Sequence, residues 1–342
     1  MRIAAYIAFV FGLAGAIGLI AWHGFATVSL AMEALGAGVL LLPLIYAPHY
    51  FGAAASWSLN FPEGPRPAFV KVLRAIWIGI GVETLMPLGG LAAEVVKTRL
   101  LIRDGTRPAD AASLAVVDMT VQIVVLIFWA LLGFSALIIT GPNETLFWPI
   151  TLGAGFLSLA FCSMIYAQYS GLLVKLAQWG TRSLRSERWK GVADNAHHLD
   201  RTIRSIDARP WRVAAACAIR CTTRGLMAVE IWVAAALMGH PITASDAVMF
   251  IGVISVLRAA TFVVPGGLGV QEVAYTLMAP LVGLAPEIGL ALSLASRARE
   301  LMTGIPALLL WQVIEGRSLR RLMGRRGDGL TSELDPAEPL TG

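Results

Sequence analysis

The sequence predicts an all-α polytopic membrane protein arranged as an inverted-topology repeat, with about six full spans and two re-entrant, Pro/Gly-broken hairpins. Three observations carry that expectation. The chain is 57% apolar and only 14% charged, against about 25% charged in a soluble protein, and its mean hydropathy is +0.70. Several apolar runs approach the ~20 residues a helix needs to cross the hydrocarbon core, and they are too long for barrel strands. Finally, one break occurs twice. Pro87-Leu-Gly-Gly-Leu-Ala-Ala-Glu94 is followed by Gly105 and Pro108, and Pro265-Gly-Gly-Leu-Gly-Val-Gln-Glu272 by Gly283 and Pro286. At a single offset of 178 residues, Pro87/Pro265, Gly89/Gly267, Glu94/Glu272, Val95/Val273, Thr98/Thr276, Gly105/Gly283, Pro108/Pro286 and Leu114/Leu292 coincide. The matches fall on Pro, Gly and Glu, which apolar helices favour least, as in transporter cores with broken helices.

The elements follow in order. Residues 3–21 are apolar behind Arg2, and Trp22-His-Gly-Phe offers no small-x-small cleavage site, so an uncleaved helix is expected rather than a signal peptide. Residues 34–51 form the second span. Ser56 to Arg74, with several prolines, Trp57, Arg66 and Lys71, reads as cytoplasmic and interfacial. The first hairpin covers 72–105, breaks at Pro87 and ends in a basic stretch of Lys97, Arg99, Arg103 and Arg107. Pro108 and Asp110 open a span at 111–139, and 148–167 is the next. From Gln168 to Arg212 the chain is hydrophilic, with nine Lys/Arg against four acids, and two amphipathic pieces at 172–186 and 192–206 suit the membrane surface. Residues 212–238 span, the second hairpin covers 247–284 with its break at Pro265, and 287–313 is the last span. The tail carries five arginines by Arg326 and then turns acidic, a disordered composition.

The loops lacking Lys and Arg go outside and the basic stretches inside. Both termini and the 168–212 loop are then cytoplasmic in a bacterial inner membrane. Each half, 1–139 and 140–313, reads span, span, hairpin, span, with opposite orientations; 314–342 is the tail. The second hairpin has an alternative as two full spans. The net charge of +5 sits in loops beside helix ends as a topology signal, so no nucleic-acid partner is expected. Anionic lipids are expected at the basic loop. Cys162, Cys217 and Cys221 lie in apolar segments and read as core residues. His197-His198 with Asp200 reads as a solvated loop cluster, and neither a metal nor a cofactor is expected.

An ionisable residue at the centre of a span costs about 2.5–3.5 kcal/mol on the insertion scale, so each one calls for a reason. Glu83 precedes the first break and Glu94 follows it. Asp118 stands one turn from Gln122, and Arg220, Arg224 and Glu230 share the fifth span. Arg258 precedes the second break, Glu272 follows it, and Arg297 and Glu300 lie three apart in the last span. Together they predict a polar cavity at the repeat interface. Half-helices starting after Pro87 and Pro265 would aim their N-terminal dipoles at it, and Gly89, Gly90, Gly266, Gly267 and Gly269 would let a ligand approach the backbone. Arg220, Arg224, Arg258 and Arg297 would hold a phosphate bidentately, with Glu94 and Glu272 orienting them or carrying protons. Glu83, Asp118, Glu230 and Glu300 are coupling or structural candidates. Individually, such residues also snorkel near helix ends, and Arg297 with Glu300 also suits mutual neutralisation on a helix surface.

Both breaks resemble the transmembrane region of the lysylphosphatidylglycerol synthase family, the flippase-like membrane proteins. The resemblance rests on Pro87 to Glu94 with Arg99 and Gly105, and on Val264 to Glu272. Within that family, residues 90–133 are similar to the hopanoid-biosynthesis-associated members through Glu94-Val-Val, Thr98-Arg-Leu-Leu and Ala111-Ala-Ser-Leu-Ala-Val-Val-Asp118. The resemblance implies transport or handling of a membrane lipid, either an isoprenoid of hopanoid type or an anionic phosphorylated lipid. Members with enzymatic activity carry a soluble catalytic domain after the membrane region. Only residues 314–342 follow the last span here, so that activity is not carried over. One alternative is a scaffold that recruits lipid-biosynthesis enzymes through its basic loop. Another is a membrane-embedded lipid-modifying enzyme, which an Asp-rich prenyl-diphosphate motif, a Walker loop or His-Glu-x-x-His would have favoured and which nominates no catalytic residue. A buried arginine set separates the transporter from the scaffold.

Overall fold

The computed structural model describes residues 33–62, 66–86, 89–139, 210–260 and 269–332. The expected spans at 3–21 and 148–167, the basic loop over 168–209, Cys162, His197, His198, Asp200, Pro87, Pro265, Gly266 and Gly267 lie outside those residues. What is described is helical, without strands: α1 (Leu41–Leu59, entered through a short 3-10 helix, Gly36–Leu40), α2 (Phe69–Leu85), α3 (Gly89–Arg103), α4 (Pro108–Ile139), α5 (Pro210–Leu237), α6 (Ala244–Ala260), α7 (Val270–Met278, continued by 3-10 residues Ala279–Val282) and α8 (Pro286–Ser332).

Local chemistry sets the ends. α4 and α8 each start on a proline, whose missing N–H is no loss in a first turn, with Asp110 and Glu287 placed to favour the positive end of the dipole. At the start of α6 a reciprocal cap forms. The N–H and hydroxyl of Thr243 donate to the Asp246 carboxylate at 2.9 and 2.7 Å, and the Asp246 N–H donates back to Thr243 Oγ1 at 3.2 Å. The turns before α4 and α8 are duplicates. Gly105 and Gly283 have φ of 103° and 75°, values open to glycine at little cost. The Gly105 N–H donates to Ile102 O and the Thr106 N–H to Leu101 O; the Gly283 N–H donates to Pro280 O and the Leu284 N–H to Ala279 O. Each bond is its counterpart shifted by the same 178 residues.

α2 ends at Leu85, before the first break, and α3 begins at Gly89; α6 is described to Ala260 and α7 begins at Val270, the second break lying outside the described residues. The main pairings are α1 with α5, α2 with α3 and α8, α6 with α7 and α4, α1 with α2, α5 with α6, α3 with α4 and α7 with α8. α4 also meets α5, α8 meets α1, α1 meets α4 and α5 meets α8. Exchanging α1–α4 for α5–α8 turns this set of pairings into itself.

Small residues permit the closest crossing. A Cβ built on Gly252 would stand 2.5 Å from Trp129 O, and one on Gly133 would stand 2.6 Å from the Gly252 Cα, so the backbones of α4 and α6 touch. Lipid tails are as apolar as the side chains, so such close packing and interhelical hydrogen bonds hold membrane helices together. Two indoles add the latter: Trp77 Nε1 on α2 donates to Thr303 O on α8, and Trp129 Nε1 on α4 to Cys221 O on α5, both at 3.1 Å. Cys217 and Cys221 are free thiols packed against the apolar core.

Glu33–Leu59 and Pro108–Ile138 are long and apolar enough to cross a membrane. Only 28% and 44% of their most apolar windows are buried, so both show more of themselves outward than inward, with Leu44, Phe51, Phe128 and Leu131 exposed. Three sequence expectations change. α1 continues through Pro48 to Leu59, because Ala53, Ala54 and Trp57 pack into the core with α2 and α3; Trp57 is 2% exposed, not interfacial. Lys97, assigned to the cytoplasmic loop end, is buried. α8 runs 47 residues to Ser332, where a disordered tail from residue 314 was expected. The segment 314–332 has no proline, and the helix continues through it although four glycines, Gly316, Gly324, Gly327 and Gly329, are the residues least favourable to a helix after proline. At 1.5 Å per residue α8 is about 70 Å long, more than twice the hydrocarbon thickness, so one end projects from it.

Gly252→Val should force α4 and α6 apart at about 1–3 kcal/mol. The detergent-solubilised variant should melt several degrees below the wild type, while Leu131→Val, at an exposed site, should not. Equal melting of all three proteins would contradict the crossing.

Candidate functional site

All eight described helices line one cavity of about 320 Å³. Its walls carry charge, and the charges are organised as two groups of ion pairs. In the first, Lys97 Nζ on α3 donates to Glu94 Oε1 at 2.5 Å and to Asp118 Oδ2 on α4 at 3.2 Å. Gln122 Nε2 donates to the same two oxygens, at 3.1 and 2.9 Å, and Arg220 of α5 donates from Nη2 to Asp118 Oδ1. In the second, Arg258 Nη1 on α6 donates to Glu300 Oε1 on α8 at 2.9 Å and to Gln271 Oε1 on α7 at 3.1 Å. Arg297 donates from Nε to Glu272 Oε1 at 2.9 Å and from Nη1 to Glu300 Oε2 at 2.8 Å. Arg299 Nε donates to Glu230 Oε1 on α5 at 2.8 Å, with Nη2 3.7 Å from Glu300.

The two groups keep a common register. The positions of Glu94, Lys97, Asp118 and Gln122 correspond, 178 residues on, to Glu272, Tyr275, Ser296 and Glu300. Lys97 bridges to Asp118, and Tyr275 Oη stands 3.5 Å from Ser296 Oγ. The same positions therefore link α3 to α4 and α7 to α8, by an ion pair in one half and a hydroxyl pair in the other. Asp118, Glu230, Glu272 and Glu300 are at most 3% exposed. Buried charges of this kind are tolerable only when paired and hydrogen-bonded.

Two charged residues of the cavity stand apart. Arg224 on α5 donates from Nη2 to Ser255 Oγ on α6 at 2.9 Å, its Nε is buried without a hydrogen-bond partner, and among the described residues it forms no ion pair. Glu83, in the last turn of α2, lines the cavity and likewise forms no ion pair among the described residues. α1 adds Tyr46 and His49 to the lining. The Tyr46 ring lies 5.0 Å from His49 and 5.2 Å from Tyr50, and the Arg299 guanidinium sits 4.0 Å over Tyr46.

Of the residues read from the sequence, Glu83, Arg220, Arg224, Glu230, Arg258 and Glu300 line the cavity. Glu94, Asp118, Glu272 and Arg297 stand behind the lining, joined to it by the bonds above. Gly89 and Gly90 begin α3, and Gly269, with φ 79°, is the N-cap of α7. Arg297 and Glu300 do more than neutralise each other on a helix surface, since Glu300 also holds Arg258. Sequence reasoning missed Lys97, Arg299, His49, Ser255, Gln271 and the α1 aromatics. Lys97 had a signal in its i, i+3 spacing from Glu94, and Arg299 in its place beside Arg297 and Glu300 within one turn; His49 and Ser255 had none.

Removing one partner of a buried pair costs more than the pair contributes, about 3–5 kcal/mol. Asp118→Leu, which strands Arg220, should therefore lower unfolding stability by that order in detergent. Arg220→Met added to it should restore part of the loss. An Asp118→Leu protein as stable as the wild type would refute the pairing.

With this geometry in view, comparison with known proteins gives one result. No curated protein and no solved structure matches. The family model described as the lysylphosphatidylglycerol synthase TM region matches residues 8–307, most of the chain. The protein belongs to that family of membrane proteins, whose business is lipid metabolism.

Proposed function

We propose that the protein transports a membrane lipid of a bacterial inner membrane and holds its phosphorylated head group in the cavity. The observation that carries this reading is Arg224, a cavity arginine that forms no ion pair among the described residues, beside a hydroxyl on Ser255. A guanidinium in an apolar surrounding requires a counter-charge, and a phosphate fits its planar fork. Arg220, Arg258 and Arg297 act at one remove: their carboxylate partners hold them in place, so they shape the cavity and its potential. A nearly neutral hopanoid would leave Arg224 unanswered, which favours the phosphorylated lipid. A scaffold has no need of the buried arginine set.

The two-repeat reading accompanies this one. The pairings that survive exchange of α1–α4 with α5–α8, and the duplicated Gly105 and Gly283 turns, support repeats over 1–139 and 140–313. Under the positive-inside rule the hairpins 72–105 and 247–284 enter from opposite sides, and both termini and the 168–212 loop are cytoplasmic. Transport then proceeds by rocking of one repeat against the other around the head-group site.

In vesicles reconstituted with a fluorescent short-chain phospholipid, Arg224→Leu should reduce transbilayer movement at least tenfold, a loss of about 1.4 kcal/mol or more, with melting unchanged. Arg224→Lys should fall between. Wild-type transport by Arg224→Leu would end the head-group reading. The orientation has its own check in a background with Cys162, Cys217 and Cys221 replaced by Ser. Asn143→Cys and Thr243→Cys should react with an impermeant thiol reagent in intact cells, and Ser186→Cys should not; the reverse pattern would overturn it.

A further inference from the structure

We infer that the head group is zwitterionic, a phosphate ester bearing a primary ammonium, with the phosphate on Arg224 and Ser255 and the ammonium on Glu83. This rests on the reading that the cavity holds a lipid head group. The argument is a charge balance. Around the cavity five cations and five carboxylates engage one another in ion pairs. Among the described residues that line the cavity, one of each sign remains outside these pairs: Arg224 and Glu83. No ion pair joins them, and Arg224 turns Nη2 to Ser255 on α6. A purely anionic ligand would satisfy Arg224 but be repelled by Glu83, an exposed carboxylate on the cavity wall. A cation alone would leave Arg224 stranded, and a neutral ligand would leave both. A ligand carrying both charges answers both and leaves the cavity neutral.

The surrounding atoms choose the kind of cation. Beside Glu83, Thr84 also lines the cavity, and its hydroxyl proton is committed to Ile80 O at 2.9 Å. Toward a ligand both side chains therefore act as acceptors, which suits an ammonium with N–H donors. A trimethylated ammonium has no N–H to give and is bound by aromatic faces. Of the aromatic residues that line the cavity, Tyr46 already carries the Arg299 guanidinium over its ring. On the other side, Ser255 Oγ accepts from Arg224, so its own proton is available to a phosphate oxygen.

The test uses the full chain in detergent and three probes: dihexanoyl phosphatidylethanolamine, dihexanoyl phosphatidylcholine and dihexanoyl phosphatidylglycerol, with affinity read by calorimetry. The wild type should prefer the ethanolamine lipid. Glu83→Gln should weaken it about tenfold, the weight of a hydrogen bond to a charged group, while leaving the glycerol lipid as tight or tighter. Arg224→Leu should weaken all three. If Glu83→Gln leaves the ethanolamine lipid unchanged, or weakens it and the glycerol lipid alike, while Arg224→Leu still weakens all, the zwitterion is wrong and the head-group site stands. If Arg224→Leu changes none of them, both fall. Matching melting temperatures establish that each variant is folded.

Discussion

The structure depends on one constraint: a charge taken out of water must find another charge. This chain carries its ionisable residues on helices whose outer faces are apolar, as Leu44, Phe51, Phe128 and Leu131 show. Those charges can go only inward, and inside they are tolerable only if a carboxylate meets a cation across a helix interface. Asp118 joins α4 to α5 through Arg220 and to α3 through Lys97. Glu300 gathers Arg258 from α6 and Arg297 from its own helix, and Arg299 ties α8 to Glu230 on α5. Such pairs contribute little net stability, yet they reject other arrangements, because any shift strands a charge. The cavity is the space that these pairs keep polar.

Much of the fold was legible because it depends on residues with few alternatives. Pro, Gly and Glu recur at a fixed offset, and the structure places matching turns at Gly105 and Gly283 and ends α2 just before the first break. Apolar length located α1 to α8 to within a few residues at most ends. The main misses have a physical cause in common. Hydropathy and the positive-inside rule treat a lysine near a helix end as solvated, whereas Lys97 turns inward because Glu94 and Asp118 offer it charge. Trp57 likewise looked interfacial by type, but α2 and α3 cover it. The end of α8 was misjudged because four glycines and five arginines in a tail resemble disorder, although no proline stops the helix between 314 and 332.

The site was legible as a set and not as a division of labour. A sequence reveals that Arg220, Arg224, Arg258 and Arg297 need partners, but it does not say which partners are internal. Three of the four turn out to be held by carboxylates, so their charge is already answered. Arg224 is met by a hydroxyl, and among the described residues neither it nor the exposed Glu83 on α2 forms an ion pair. The distinction matters for mechanism: paired arginines set the shape and potential of a cavity, while an unanswered one invites a ligand. Family membership agrees with a lipid as that ligand, and the charge balance then narrows its chemistry.

The most direct measurement of that claim is an electron cryomicroscopy map of the protein in nanodiscs of bacterial lipid. The account predicts head-group density inside the cavity, between α5 and α6, with a phosphate within hydrogen-bonding distance of Arg224 and Ser255 and acyl chains leading out between helices. A map with lipid only around the outer surface, and with Arg224 paired directly to Glu83, would contradict it.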